Sequence, residues 1–144
     1  MNLDSWEPKI VAFLCKWCSG AAAELAGVSR LLYSPNVIPI IVPCSGRVDP
    51  DLIVEAFMNG ADGVIVAGCH TPSDCHYIAG NFKAFKRVYM LKKLLSDFGI
   101  EPERLKLEWV SAVESQKLKT LFDEFTSTIR KLGPLRVKIR GGSV

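Results

Sequence analysis

The sequence has no long apolar run and little net charge, and each absence excludes a class of protein. A membrane-spanning helix needs about 18–20 consecutive apolar residues, and no stretch of the 144-residue chain reaches that length. A net charge of +3 is too small to indicate nucleic-acid binding. The segment 1–8 contains Asp4 and Glu7 and has no apolar centre, so we expect no signal peptide. The sequence therefore predicts a cytoplasmic protein that binds neither membrane nor nucleic acid.

Motifs of the common catalytic classes are also missing. The sequence contains no Gly-x-Ser-x-Gly elbow, no Walker loop and no Gly-x-Gly-x-x-Gly turn. The segment Cys44-Ser45-Gly46-Arg47 is too short for a phosphatase loop, in which the arginine lies further along. We therefore expect no catalysis by this chain alone.

Short apolar segments alternate with longer amphipathic segments, a pattern typical of α/β proteins with a parallel sheet. The predicted strands are 10–14, 37–42, 63–67 and 105–110, and the predicted helices are 20–32, 49–60, 77–98 and 115–132. Pro39 inside the second strand and the alternating pattern of the fourth indicate edge positions. The predicted fold is an open, mostly parallel four-stranded sheet of flavodoxin-like order 2-1-3-4, with helices on both faces.

Apolar spacing predicts which helical side chains face the sheet. In the first helix these are Ala22, Leu25, Val28 and Leu32, and in the second Leu52, Ile53, Ala56 and Phe57. In the third they are Ile78, Phe82, Phe85, Tyr89, Leu91 and Leu95, and in the fourth Leu118, Leu121, Phe122, Phe125 and Ile129. The basic residues of the third helix are interpreted as a solvated face: Lys83, Lys86, Arg87, Lys92 and Lys93.

The chain is predicted to form a single domain over 1–134, followed by a basic tail over 135–144. No apolar pattern gives this tail a core to join. Its basic residues Arg136, Lys138 and Arg140 are therefore expected to become ordered on a partner.

All five cysteines follow predicted strands. Cys15 and Cys18 come after the first strand, Cys44 after the second, and Cys69 and Cys75 after the third. Because the carboxyl ends of parallel strands share one edge of a sheet, we expect the five thiols to converge there. Clustered cysteines in a cytoplasmic protein more often bind metal or perform redox chemistry than form disulfides.

Three kinds of site fit such a cluster. An iron–sulfur cluster takes four thiolates and would leave one cysteine spare. Structural zinc also takes four, but its sites usually pair two Cys-x-x-Cys knuckles, and this sequence has one. A thioredoxin-like dithiol at Cys15 and Cys18 would leave the other three thiols unexplained. The spacing favours the iron–sulfur cluster and leaves the other two possibilities open.

Several residues beside the cysteines are candidates for the surroundings of the site. His70 and His76 each follow a cysteine and could bind metal, hydrogen-bond a sulfur, or simply be polar loop residues. Trp17 could shield the site, meet a partner or pack in the core. Gly46 and Gly68 would let the backbone close around inorganic sulfide.

Four segments resemble those of a known family. They are 13–19, 42–50, 60–70 and 74–77, the last followed by Gly80-Asn81. Together they resemble the delta, iron–sulfur, subunit of the methyl-viologen-reducing, coenzyme-F420-non-reducing [NiFe] hydrogenases of methanogens. The resemblance extends over about 9–135, and the string Cys-Ser-Gly-Arg-Val-Asp-Pro within it is highly specific.

The resemblance implies a [2Fe–2S] cluster bound by four of the five cysteines, without indicating which one is spare. It further implies a non-catalytic, electron-transfer subunit of a larger oxidoreductase. Such a subunit receives electrons from the hydrogenase small subunit. It passes them to the flavin-containing, A-type subunit of an electron-bifurcating heterodisulfide reductase in methanogenesis. In some relatives a formate dehydrogenase feeds the same adaptor.

Overall fold

The strands and helices follow the predicted α/β alternation. A computed structural model describes residues 5–136 and, as backbone alone, 138–139 and 142–143. The sheet strands are β1 (Ile10–Cys15), β2 (Val37–Val42), β3 (Gly63–Gly68) and β4 (Leu105–Trp109). The helices are α1 (Ser19–Val28), α2 (Pro50–Met58), α3 (Gly80–Asp97) and α4 (Ser115–Leu132). None of these helices is long and apolar enough to cross a membrane.

The four strands form one parallel sheet in the order β2-β1-β3-β4, which confirms the predicted order. Central β3 is buried along its whole length. The Asn36 carbonyl accepts a hydrogen bond from the Ile10 N–H (3.0 Å), and the Val42 carbonyl accepts one from the Lys16 N–H (2.8 Å). Both carbonyls therefore face β1. Because successive residues of a strand alternate in direction, Pro39 has its nitrogen on the outer edge, where no ladder bond is lost.

Helices cover both faces of the sheet, and each face has its own core. On one face α1 and α4 pack over Ile10, Leu14 and Ile65. On the other, α2 and α3 pack over Phe13, Val64 and Val66. The bounds of α4 and its inward side chains are as predicted: Leu118, Leu121, Phe122, Phe125 and Ile129. In α2, Ile53 and Phe57 are buried as predicted, while Leu52 and Ala56 are partly buried.

The prediction for α1 is wrong in its length and in three of its four inner positions, while Ala22 is buried as predicted. The helix ends at Val28, before the expected end at 32, and Arg30 follows with a left-handed φ of 54°. Leu25, Val28 and Leu32 are exposed. Only small side chains of α1 face the sheet: Ser19, Gly20, Ala22 and Ala26. They let the helix lie close to the strands, where leucine would not fit.

The predicted inner stripe of α3 is wrong in four of its six positions. Leu91 and Leu95 are buried, but these four are exposed: Ile78, Phe82, Phe85 and Tyr89. The side chains that complete the inner stripe are Ala84 and Val88, at helical spacing from Leu91 and Leu95. The helix also begins at Gly80 rather than at 77. It therefore carries two apolar stripes, and the one with the smaller side chains packs on the sheet.

The first residue of the predicted tail joins the core. The Leu135 N–H donates to Asp62 Oδ1 (3.0 Å), and its side chain packs against the α2 and α3 face. Beyond it, β5 (Lys138–Ile139) pairs antiparallel with β6 (Gly142–Ser143). Arg140 lies outside the described residues. The domain division at 134 and the ordering of the tail on a partner stay predictions.

The buried ring of Phe122 provides a test of the core. It lies wholly buried in edge contact with Tyr33, with ring centroids 5.0 Å apart. We expect Phe122→Ala to lower the free energy of unfolding by about 3–5 kcal/mol, because it removes buried apolar surface and leaves a cavity. Chemical denaturation followed by circular dichroism measures this. The exposed Phe98→Ala is the matched control, and an equal loss in both variants would contradict the packing described.

Candidate metal centre

The ends of β1 and β3 bring three thiols together. The Sγ atoms of Cys15, Cys18 and Cys69 lie within 4.8 Å of one another, and those of Cys15 and Cys69 are 3.8 Å apart. All three side chains are buried. Ser19 fixes the two strand ends relative to each other, because its Oγ accepts from the Cys15 N–H (2.8 Å) and donates to the Ala67 carbonyl (2.7 Å).

The other two thiols form a second pair. Cys44, which follows β2, and Cys75, in the loop after β3, have Sγ atoms 3.9 Å apart. Each sulfur accepts a backbone hydrogen bond: Cys44 from the Gly46 N–H (3.4 Å) and Cys75 from the Gly80 N–H (3.2 Å). All five cysteines are free and buried, so the loops after three strands place every thiol of the chain at one sheet edge.

The sulfur separations match those of a metal site. Two thiolates bound to one tetrahedral metal at about 2.3 Å lie roughly 3.8 Å apart. The pair Cys15–Cys69 at 3.8 Å and the pair Cys44–Cys75 at 3.9 Å both have this separation. Burial is the main reason why the pKa values of Cys44 and Cys69 are raised, and a smaller contribution comes in each case from a thiol of the other group, Cys15 for Cys44 and Cys75 for Cys69. The donor set is thus suited to a centre with two metal ions.

Two of the thiols are poised to ionise in the absence of metal. A hydrogen bond from the Cys18 thiol lowers the pKa of Cys15 to about 5, and the same bond raises the pKa of Cys18. Burial raises the pKa of Cys69 to about 11. Burial also pushes the pKa of Cys75 upward, but backbone N–H groups outweigh it and hold that pKa below its usual value. Each group of thiols therefore contains one favoured thiolate.

The start of α3 packs directly on the Cys44–Cys75 pair, and glycine makes this possible. A Cβ on Gly80 would lie 2.1 Å from Cys44 Sγ and 3.3 Å from Cys75 Sγ. A Cβ on Gly46 would lie 2.8 Å from the Gly80 Cα. The two backbones therefore touch, and no larger residue fits at position 80 without moving a sulfur.

Polar side chains fasten the cysteine loops to α3. Arg87 Nη1 donates to the Gly46 carbonyl (2.5 Å) and pairs with Asp49 Oδ1 (3.0 Å). Asn81, which is fully buried, donates from Nδ2 to the carbonyls of Cys69 (3.3 Å) and His70 (3.1 Å). The loops that carry Cys44 and Cys69 are thus held by one rigid helix.

The two histidines point to partners other than sulfur. His70 Nε2 is hydrogen-bonded to Glu114 Oε1. The pKa of Glu114 falls to about 2, mainly because the Ser111 N–H donates to its carboxylate and also because of His70. His76 stacks on Trp17 with ring centroids 3.9 Å apart. Among the described residues, neither histidine belongs to a group of three or more close metal-ligand atoms.

An aromatic cluster joins the first cysteine loop to the last. Trp17 lies between Cys15 and Cys18, while His76 and Tyr77 follow Cys75. In addition to the Trp17–His76 stack, Trp17 Nε1 donates to Tyr77 Oη at 3.4 Å, and His76 meets Tyr77 edge-on. Trp17 and Tyr77 are both exposed. This cluster therefore forms the solvent-facing rim of the thiol site rather than part of the core.

Comparison with known proteins assigns the chain to a family. The profile of the FlpD family, described as methyl-viologen-reducing hydrogenase, delta subunit, matches residues 10–133. The chain belongs to the FlpD family. This confirms the resemblance noted in the cysteine-containing segments.

Named relatives of this FlpD chain fall into two groups. One relative is the D-type iron-sulfur subunit of the F420-non-reducing hydrogenase of Archaeoglobus profundus. The two sequences are 55% identical over 133 residues, which cover 92% of this chain and 96% of the relative. Another is the D-type iron-sulfur subunit of the vhc F420-non-reducing hydrogenase of Methanococcus voltae. Here the identity is 46% over 141 residues, which cover 98% of this chain and 97% of the relative. The second group contains a longer protein, the A-type subunit of the Ferredoxin/F(420)H(2)-dependent CoB-CoM heterodisulfide reductase of Methanosarcina acetivorans. There the match is 46% over 128 residues, 89% of the chain but 16% of the relative.

Four residues of the FlpD site were not singled out by sequence reasoning: Ser19, Ser45, Gly80 and Asn81. Ser19, Gly80 and Asn81 position the cysteine loops through the contacts described above. Ser45 is buried, and its hydroxyl is the sole buried side-chain N or O atom lacking a hydrogen-bond partner among the described residues. All four stand in or beside the family-like segments, which is the signal that could have found them.

The contact of Gly80 with the sulfurs leads to a sharp prediction. We expect Gly80→Ala to displace Cys44, because the added methyl group would overlap its sulfur. The overpacking should lower the free energy of unfolding by about 1–3 kcal/mol. The displaced cysteine should reduce the iron bound per chain. Iron and acid-labile sulfide analysis of anaerobically purified protein, together with thermal denaturation, measures both effects.

Gly27→Ala is the matched control, because a Cβ at Gly27 meets nothing within 4 Å. It should keep full iron and add about 0.4–1 kcal/mol of stability. Unchanged iron in Gly80→Ala would show that position 80 tolerates a side chain and would contradict the contact.

Proposed function

We propose that this FlpD chain is a cytoplasmic electron-transfer subunit that carries a [2Fe–2S] cluster. In this role it relays electrons from the small subunit of a [NiFe] hydrogenase to the flavin-containing, A-type subunit of an electron-bifurcating heterodisulfide reductase. The observation that carries the proposal is the arrangement of five buried thiols, with two pairs at 3.8 and 3.9 Å, at one edge of the sheet.

The sulfur separations suggest which cysteines share an iron. Cys44 and Cys75 would bind one iron, and Cys15 and Cys69 the other. Cys18 would then be the fifth, non-ligating cysteine, kept as a thiol beside Cys15. Four thiolates on two irons is the usual donor set of a [2Fe–2S] centre.

When bound, a [2Fe–2S] cluster supplies a one-electron redox couple. The chain's own residues hold the sulfurs in place and set their electrostatic surroundings. The N–H groups of Gly46 and Gly80 donate to sulfurs and offset negative charge, as does the positive end of the α3 dipole. The buried Ser45 hydroxyl, next to Cys44 in the chain and without a partner in the described part of the structure, would be available as a further donor, and hydrogen bonds to the sulfurs help to set the reduction potential. The buried position of the thiols limits access of water and oxygen.

The named relatives support the choice of partners. Two are named as D-type iron-sulfur subunits of a hydrogenase, which indicates a place beside a hydrogenase. In the longer Methanosarcina relative, the matching region is part of the A-type polypeptide of a heterodisulfide reductase. A domain that is joined to this polypeptide in one organism is well placed to bind its counterpart in another. A formate dehydrogenase as an alternative donor would use the same cluster.

Cysteine substitution tests the ligand assignment. We expect the anaerobically purified chain to contain about two iron and two acid-labile sulfide. Cys44→Ser and Cys75→Ser should each lose most of the iron and the paramagnetic signal of the reduced protein, because serine is a poor substitute for thiolate. Cys18→Ser should keep both and serves as the matched control.

A different outcome identifies a different site. Loss of iron in Cys18→Ser, with retention in Cys15→Ser or Cys69→Ser, would overturn the proposed pairing while leaving the cluster in place. About one zinc per chain without iron would indicate a structural zinc site. Absence of any metal, with a reversible Cys15–Cys18 disulfide, would indicate the thioredoxin-like alternative.

The relay itself is testable by reconstitution. With hydrogen as the electron source, the hydrogenase should rapidly reduce the flavin of the heterodisulfide reductase only when the metal-loaded chain is added. Cys44→Ser should abolish this rate, and Cys18→Ser should preserve it. Flavin absorbance in a stopped-flow instrument provides the measurement, and formate with formate dehydrogenase tests the alternative donor. Equal flavin reduction without the chain would contradict the adaptor role.

A further inference from the structure

The outer face of α3 carries a stripe of exposed aromatic rings interleaved with lysines. Phe82, Phe85 and Tyr89 are 42%, 50% and 59% exposed, and Lys86 and Lys93 are exposed between them. At 3.6 residues per turn these five positions fall within about 100° of the helix circumference. They extend for roughly 16 Å along the axis. We call this set of five residues the α3 stripe.

The charge on this helix is positive except at its last residue, Asp97. No aspartate or glutamate occurs between Asp74 and Asp97, whereas Gly80–Asp97 contains five lysines and arginines. Arg87 is turned inward to Gly46 and Asp49. Neither Lys86 nor Lys93 forms an ion pair within the part of the chain that the structure describes. The stripe is therefore apolar along one side and positive along the other, and it is complementary to a surface that combines apolar and acidic groups.

Two of the three rings contact neighbours on the same helix before any partner binds. Phe85 and Tyr89 stack with centroids 6.2 Å apart, and Lys93 Nζ lies 5.5 Å from the centre of the Tyr89 ring. Each residue stands on a helix of 18 residues whose inner face is buried. A preordered aromatic surface loses little conformational entropy on binding, and aromatic side chains dominate the energetics of protein interfaces.

The stripe is continuous with the thiol site. Ile78 precedes the helix, is 85% exposed, and has a left-handed φ of 78°, which is rare and strained for a β-branched residue. Its N–H donates to the Cys75 carbonyl (3.1 Å). The apolar surface therefore begins beside Cys75 and runs along α3, so a partner lying on it would approach the sulfurs closely.

We infer that the α3 stripe, with Ile78 at its thiol end, is the surface on which an electron-transfer partner protein docks through a patch that carries apolar and acidic groups side by side. This inference rests on the proposed function and adds to it the contact surface. A protein partner fits better than nucleic acid, because the overall charge is only +3 and the aromatic rings stack on each other and on lysine. Docking here would also shorten the electron path to the next redox centre.

Charge reversal and ring removal test the inference separately. The full metal-loaded chain would be measured by biolayer interferometry against two probes from the same organism: the [NiFe] hydrogenase and the flavin-containing subunit of heterodisulfide reductase. We expect Lys86→Glu/Lys93→Glu to weaken binding to at least one probe by about tenfold or more, and to remove its salt dependence. Phe82→Ser/Phe85→Ser should weaken the same binding by a similar factor at all salt concentrations.

Matched controls carry the same changes elsewhere on the surface. Lys9→Glu/Lys131→Glu reverses two exposed lysines away from α3, and Met58→Ser/Phe98→Ser removes two exposed apolar side chains. Both controls should bind within about twofold of the unaltered chain. Iron content and the paramagnetic signal should be unchanged in all four variants. Loss of docking with an intact cluster thus separates this inference from the cluster assignment.

Three results would overturn the inference. The first is equal weakening by the stripe variants and the controls, or no binding of the unaltered chain to either probe. The second is that the chain binds a mixed-sequence, 30-nucleotide single strand, and that Lys86→Glu/Lys93→Glu abolishes this binding while binding to both protein probes is unchanged. The third is a chain dimer, seen by light scattering, that Phe82→Ser/Phe85→Ser dissociates without changing affinity for either probe.

Discussion

Sulfur atoms held within 4 Å of one another repel strongly once they ionise, and the site is organised around that constraint. Strand ends alone bring the thiols together, but they do not supply positive potential. For the Cys44–Cys75 pair the chain obtains it from α3, because the Gly80 N–H donates to Cys75 and the positive end of the helix dipole lies against both sulfurs. Close approach of this helix requires glycine at positions 80 and 46. The same helix holds the neighbouring loops through Asn81 and Arg87, so one element both stabilises negative charge on this pair and positions the loops around it.

The parts of the fold that depend on strong local patterns were predictable from the sequence. The sheet order follows from the alternation of strands and helices, and the edge positions of β2 and β4 follow from Pro39 and from the alternating pattern of the fourth strand. The bounds and inner face of α4 follow from a single apolar stripe. The prediction failed where a helix has two apolar stripes. In α3 the large rings of Phe82, Phe85 and Tyr89 suggested burial, yet the smaller Ala84 and Val88 pack on the sheet. Apolar periodicity shows that a helix has an apolar stripe, but it does not show whether the sheet or solvent covers that stripe.

The same distinction applies to the candidate site. The position of each cysteine after a strand was enough to place the thiols at one sheet edge. The separation into Cys15–Cys69 and Cys44–Cys75 pairs depends on side-chain distances that spacing does not encode. The role of Gly80 was equally hidden, because its neighbour Cys44 is remote in sequence and meets it only through the packing of α3 against the β2 loop.

The proline nitrogen on the outer edge of β2 limits how this protein can join an assembly. An incoming strand would find no donor at Pro39, so it could not continue the sheet as an unbroken ladder. The exposed side chains of Ile38, Ile40 and Ile41 along that strand therefore do not make it a template for backbone pairing. At this edge, contacts with other proteins would form between side chains, whose complementarity is specific to each partner. The β2 edge is thereby protected against pairing with a copy of itself, a route by which exposed edge strands aggregate.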